Sequence, residues 1–312
     1  MLEFKKDDVK AWIVLAPTLL LMALFTFWPI VNSFAMSFLE GFSFTGMPPE
    51  IHPYSWIAGG TFESVGFANF VQVFKDPDFW LALKNTFLMV IISVPISVIL
   101  GLLIAVALNG VKKFQSFFQT VFFLPYVTNT IALGLVFGSV FHSEYGLINK
   151  LFNTVGVAWI NSGATWGRAM VVLMAYTVWN GLAFKILVFL SGLQSIDKQY
   201  YQAAQVDATP RWRVFLKITV PLLSPMILYI TITSFIGAFK AYSSVIAIFG
   251  NGRYGPVGND KMLITIVGFI YDKLWESSMP FGVASAGSLI LFIIIMLITL
   301  VQFQVSKKRV HY

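Results

Sequence analysis

Apolar residues along this chain gather into six long stretches, at about 12–38, 83–108, 117–141, 168–193, 222–249 and 281–303. Each is long enough to cross a hydrocarbon layer as a helix, which takes roughly 20 residues. A seventh apolar run, Met262–Trp275, is shorter and carries Asp272 and Lys273, so it predicts an interfacial or partly buried helix that does not span. The pattern predicts an all-α integral membrane protein with six transmembrane helices in a single domain covering 1–312. No internal repeat and no low-complexity tract interrupts it.

Composition strengthens that reading. Hydrophobic residues make up 57% of the chain and charged residues only 11%, against about 25% charged in a soluble domain. A soluble fold of this length could not cover so much apolar surface. The 31 Phe and 9 Trp suit helices anchored at membrane interfaces. There is no cysteine, which excludes disulfide and thiolate chemistry. The N-terminal MLEFKKDDVKAWIV opens like a signal peptide, but the apolar run continues past Trp28 and Pro29 and no A-x-A site follows. It is expected to be a retained first helix.

The net charge of +7 is explained by orientation and needs no nucleic acid. With six spans both termini share one side, and that side holds twelve Lys and Arg against seven on the other. The excess places both termini in the cytoplasm. The first outer loop, 39–82, is long and rich in Gly, Pro and aromatics (GFSFTGMPPEIHPYSW). The inner loop 194–221 is long and polar.

That inner loop is the most informative segment. Ser195 or Asp197 can cap a short helix from Gln199 to about Ala208, which Pro210 ends. Ala203 and Ala204 permit close approach of another surface. Trp212, Phe215 and Ile218 then recur about one turn apart before Pro221. Two short helices in a polar loop suit docking to a cytoplasmic partner, and equally a loop lying on headgroups and attracted by its four cations.

The segment resembles the EAA loop of ABC importer permeases, whose pattern is roughly E-A-A-x-x-D-G-A followed by F-x-x-I-T-x-P. This chain has Gln202-Ala203-Ala204, Asp207-Ala208-Thr209, Phe215, Ile218-Thr219 and Pro221 at matching spacing. It departs with Gln at 202, Ala at 208 and Thr at 209. Of these, Ala208 bears on the turn, because alanine does not reach positive φ as cheaply as glycine. The likeness covers nearly the whole chain and is similar to carbohydrate-type permeases. It includes Ala16-Pro17, Trp28-Pro29, Gly66-Phe67-Ala68-Asn69-Phe70, Asn85-Thr86, Leu124-Pro125, Gly146-Leu147-Ile148-Asn149, Gly192-Leu193-Gln194 and Gly255-Pro256.

The resemblance implies the type I ABC importer permease fold, in a bacterial or archaeal cytoplasmic membrane. It implies a second homologous permease, two cytoplasmic ATPase subunits that hold ATP and Mg, and an external solute-binding protein that delivers a carbohydrate. It further implies that Gln202, Ala203, Ala204, Asp207, Ala208 and Arg211 couple this chain to an ATPase. The chain itself has no G-x-x-x-x-G-K-[ST] phosphate loop, so no cofactor is expected on it.

Two lysines fall inside the expected spans, Lys185 and Lys240. A cation in hydrocarbon costs about 2.5–3.5 kcal/mol or more, so such a residue faces an interior or aqueous cavity, or snorkels to an interface. On the first reading both line a substrate path with Trp179, Asn180 and Tyr242, whose rings and amide suit sugars. Two lysines would favour an anionic sugar.

Other signals carry less. Gly250, Gly252 and Gly255 form a literal G-x-G-x-x-G, but without a βαβ unit it is a turn. His52, His142 and His311 are scattered, so no metal site is expected. Gly134 and Gly138, and Gly282 and Ala286, have the small-residue spacing of close helix packing. Pro95 and Pro125 can kink their helices. No Asp or Glu lies mid-span, unlike an ion-coupled carrier, and no nucleophile–base pair suggests a membrane enzyme.

Overall fold

A computed structural model describes residues 2–42, 62–111, 113, 115–250, 254–256, 258–259, 261–276 and 280–307, with 2–7 described as backbone only. Lys112, Gly252, Arg253, His52, His311 and most of the Gly-, Pro- and aromatic-rich outer segment therefore lie outside the described residues.

Apolar runs become helices because a helix satisfies its own backbone polar groups wherever water is absent. In chain order these are α1 (Leu2–Met22), α2 (Trp28–Phe38), α3 (Ala68–Lys75), α4 (Pro77–Gly110), α5 (Gln115–Val127), α6 (Thr130–Val140) and α7 (Leu147–Leu151). They continue as α8 (Trp166–Ser195), α9 (Lys198–Val206), α10 (Arg211–Val214), α11 (Val220–Leu222), α12 (Ser224–Phe239), α13 (Ser243–Phe249), α14 (Ile266–Trp275) and α15 (Phe281–Ser306). Among the described residues, four helices are long and apolar enough to span: Asp8–Phe38, Pro77–Gly110, Trp166–Ser195 and Phe281–Ser306. Two further pairs qualify if each bent pair is one span: α5 with α6, bent by 99°, and Arg211–Leu222 with α12, bent by 68°. At 10 residues α14 is too short to cross.

The helices carry two π-helical segments, Ala23–Phe27 and Phe215–Thr219, and both have the same cause. Each ends two residues before a proline, Pro29 and Pro221. A proline has no N–H for the carbonyl four residues back, and its ring presses on that carbonyl. A wider turn takes up the misfit, and the i→i−5 bonds Trp28 N–H to Ala23 O and Val220 N–H to Phe215 O replace the lost one. Pro95, by contrast, sits within an unbroken α4.

Backbone packing divides the chain into two compact units. The first comprises Met1–Asp76 and Ile270–Leu291. In it the ribbon β1 (Leu39–Glu40) and β2 (Ser64–Val65) pairs antiparallel. The Glu40 carboxylate accepts from the Ser64 hydroxyl and the Ala68 N–H, which hold it below the usual carboxylate range. Asn69 donates to the carbonyls of Ser37 (3.1 Å) and Leu39 (2.9 Å). Gly282 lets this pair approach, since a Cβ there would lie 2.5 Å from Asn69 Nδ2. Lys273 bonds Glu276 (2.6 Å) and Asp76 (2.9 Å). Burial alone would lower its pKa, but the two carboxylates hold it above the ordinary lysine value.

The second unit comprises Pro77–Phe269 and Phe292–Tyr312. Its core is α4 against α8, with Phe79, Met89, Met170, Leu173, Ile186 and Phe189 fully buried. Asn85, 1% exposed, ties the chain near 262–266 to α4. Its amide donates to the carbonyls of Met262 (3.1 Å) and Ile264 (3.0 Å), and its oxygen accepts from Trp166 Nε1 (2.9 Å). Next to it, Thr86 Oγ1 accepts from Ile266 N–H. Asn85→Leu strands two carbonyls and an indole N–H, so it should cost about 2–4 kcal/mol. Thermal unfolding of the detergent-purified protein should show a clearly lowered midpoint.

Candidate functional site

Two features of the second unit carry chemistry, an exposed helical loop and a cavity with polar groups in a largely apolar wall. In the loop, Asp197 caps α9 by accepting from Gln199 N–H at 2.9 Å. At the other end Ala208 takes the left-handed conformation, φ +49°. Ala208 N–H donates to Gln205 O (3.1 Å) and Thr209 N–H to Ala204 O (2.9 Å), and Pro210 follows. These two bonds form a Schellman cap, whose left-handed residue is normally glycine. The turn keeps the glycine geometry although the residue is alanine.

Of the residues expected to couple, Gln202, Ala203, Asp207, Ala208 and Arg211 are exposed. Ala204 is not: it is 6% exposed. It lies three residues after Tyr201, whose hydroxyl shares a hydrogen bond with Thr219 Oγ1 at 3.3 Å, so this side of α9 is turned toward its own chain. The outward face also carries Val206, 88% exposed, and on α10 Trp212 is 61% exposed, with the Arg213 guanidinium 5.2 Å from its ring centroid. The sequence signal for Val206 was an apolar residue in a polar helix.

The cavity, about 460 Å³, lies between α4, α8 and α12 and the chain at 240–244. This is within the ordinary size of a small-molecule site, about 300–1,000 Å³. Its lining brings together Asn180, Lys185, Lys240 and Tyr242, four of the five residues expected on a substrate path. The fifth, Trp179, is not among them. Its ring packs against Phe137 at 5.2 Å. Lining residues that the sequence reading did not single out include Ser93, Ser97, Tyr126, Thr130, Tyr176, Thr177, Phe184, Thr233 and Ser234. Among the described residues, no Asp or Glu lines it.

The cavity forms where helices stop. The run 222–249 is broken at Lys240–Tyr242 between α12 and α13, and the run 117–141 is bent after Val127. Tyr126, Thr130 and the segment from Lys240 to Ser244 all line the cavity. The freed backbone groups find side chains. Thr265 Oγ1 donates to Ala241 O (2.7 Å), Asn129 Oδ1 accepts from Ile131 N–H (2.8 Å), and Asn180 Nδ2 donates to Pro125 O (3.5 Å). Gly134 allows α6 and α13 to meet, as a Cβ there would lie 2.3 Å from that of Ala247. Among the described residues no three His, Asp or Glu side chains gather as metal ligands.

The family model described as binding-protein-dependent transport system inner membrane component matches residues 97–311. The chain is 28% identical over 308 residues to the lactose transport system permease protein LacF of Rhizobium radiobacter, covering 97% of this chain and 95% of that protein. It is 30% identical over 315 residues to the arabinooligosaccharides transport system permease protein AraP of Bacillus subtilis (strain 168), covering 97% and 90%. In fold it matches a chain of the crystal structure of a bacterial alginate ABC transporter in complex with alginate pentasaccharide-bound periplasmic protein. The TM-score is 0.73 at 18% identity, covering 99% of this chain and 97% of that one.

The left-handed alanine yields a direct test. Ala208→Gly should stabilise the protein by about 1 kcal/mol, the typical cost of that conformation for a residue with a Cβ. A raised midpoint in thermal unfolding checks it.

Proposed function

The chain belongs to the family of binding-protein-dependent transport system inner membrane components, and on that premise we propose that it forms half of the translocation pore of an ATP-driven importer for a sugar or oligosaccharide. The observation that carries this is the 460 Å³ cavity among spanning helices, lined by hydroxyls, an amide and aromatic rings. Sugars present hydroxyls and apolar ring faces together, and such a lining matches both. The lactose and arabinooligosaccharide permeases named above support the substrate class.

The other parts follow from what one chain lacks. With no P-loop sequence, it takes no direct part in ATP hydrolysis, and ATP and Mg sit on two partner ATPase subunits. A second permease completes the pore. An external solute-binding protein delivers the sugar, a reading supported by the solved alginate ABC transporter, which is in complex with an alginate pentasaccharide-bound periplasmic protein. The protein is multi-pass in the cytoplasmic membrane, with both termini and the loop 194–221 on the cytoplasmic side, in keeping with the Lys and Arg excess there.

Coupling runs through the loop. Gln202, Ala203, Asp207, Ala208 and Arg211, with Val206 and Trp212 beside them, present an exposed face of small, apolar and polar groups to the ATPase. Ala204 supports it from behind. A contiguous path of packing leads from there to the cavity. Tyr201 bonds Thr219, and Leu223, at the 68° bend, lies where a Cβ on Gly192 of α8 would meet it at 2.9 Å. Helix α8 carries Asn180 and Lys185 into the cavity.

Because Ala203 is exposed, a large side chain there can turn outward from the described residues. Ala203→Trp should leave the thermal midpoint within about 0.5 kcal/mol of stability. It should nonetheless sharply reduce the ATPase recovered by affinity purification from solubilised membranes. Undiminished recovery of an ATPase, or recovery of none with the unaltered chain, would contradict the importer reading.

A further inference from the structure

Three polar groups in the cavity have unmet hydrogen-bonding capacity although they are buried. Ser93 is 1% exposed and Tyr176 2%, and neither hydroxyl has a partner among the described residues. Lys185 is 7% exposed. Its side chain runs back along α8, as helical side chains do, and Nζ donates to the carbonyl of Gly181 at 3.0 Å. An ammonium has three donors, and among the described residues only this one is engaged.

The lysine is housed, not merely tolerated. A Cβ on Gly101 of α4 would lie 2.9 Å from Lys185 Cβ, and one on Gly181 would lie 2.8 Å from Nζ. Two glycines thus leave a slot for the stem on one side and for the head on the other. Among the described residues no carboxylate lines the cavity, and Lys240, a second cation there, is exposed at the break after α12. Neutral sugar hydroxyls would satisfy Ser93 and Tyr176 but would leave the ammonium without a counter-charge, which a buried cation needs.

We propose that this cavity is a subsite for an oxyanion borne by the transported sugar, a uronate carboxylate, sulfonate or phosphate ester, with Lys185 Nζ as its charged partner and the Ser93 and Tyr176 hydroxyls as further donors. The inference rests on the importer reading and narrows its substrate class. Lys240 gives the same cavity a second positive charge, so an approaching anion meets attraction before it reaches Lys185.

The test uses the purified complex with its ATPase, second permease and solute-binding protein in lipid nanodiscs. Stimulation of ATP hydrolysis is titrated with matched pairs: oligogalacturonates and the same oligomers reduced to galactose, and sulfonated and phosphorylated hexoses with their neutral parents. The expected result is that one class of acid stimulates at about tenfold lower concentration than its neutral match, in line with a charge-assisted hydrogen bond. Lys185→Gln should abolish that advantage, Lys185→Arg should retain most of it, and Ser93→Ala or Tyr176→Phe should reduce it by a few fold. Neutral members stimulating as well as the acids, stimulation by none of the acids, or an acid advantage unaltered in Lys185→Gln each overturns the proposal. An unaltered chain that purifies without any ATPase would overturn the importer reading, and this inference with it.

Discussion

The need to satisfy every backbone polar group away from water governs this structure more than any single contact does. A continuous helix meets nearly all of that need alone, as Trp166–Ser195 does along its interior, and Pro77–Gly110 runs on as helix past Pro95, which has no N–H to give. A break in a helix at membrane depth exposes amides and carbonyls that must be met by side chains or by a water-filled space. The breaks here set side-chain partners beside a cavity. Asn129, Asn180 and Thr265 take up freed groups, and the segments at Tyr126–Thr130 and Lys240–Ser244 open onto the same cavity. The site is where the helical solution is abandoned.

The same constraint explains the two π segments. A proline removes one donor and crowds one carbonyl, and widening the preceding turn keeps the rest of the ladder intact. At Pro221 the widened turn stands between the exposed loop and α12, whose Thr233 and Ser234 line the cavity. Loop, bend and cavity wall are one continuous run of chain.

How much of this was legible in the sequence depended on what each residue's signal measures. Hydropathy alone placed the six runs, because the cost of burying charge is large and sums over a window. It could not place the breaks, since Thr128–Asn129 and Lys240–Tyr242 interrupt helices without making the runs polar. Lys185 and Lys240 stood out because cations in apolar runs are rare. Trp179 was expected beside Asn180, yet neighbours on a helix diverge by about 100°, so one faced the cavity and the other Phe137. Ser93 and Tyr176 were missed because a hydroxyl among apolar residues looks like packing. The row Thr177, Gly181, Lys185, four residues apart, was the available signal. At Ala208 the motif implied a glycine-like turn and the residue argued against it. The turn won, held by two backbone hydrogen bonds and the proline that follows.

The claim at the centre of this account is that the outward face of α9 meets the ATPase. The chain has no cysteine of its own, so single cysteines report cleanly. The most direct measurement is cysteine cross-linking in membranes, comparing Val206→Cys with Ala204→Cys. The account predicts that Val206→Cys links to the ATPase subunit with a yield that changes on adding ATP, and that the buried position 204 does not. Efficient linking from position 204, or none to any ATPase from position 206, would contradict it.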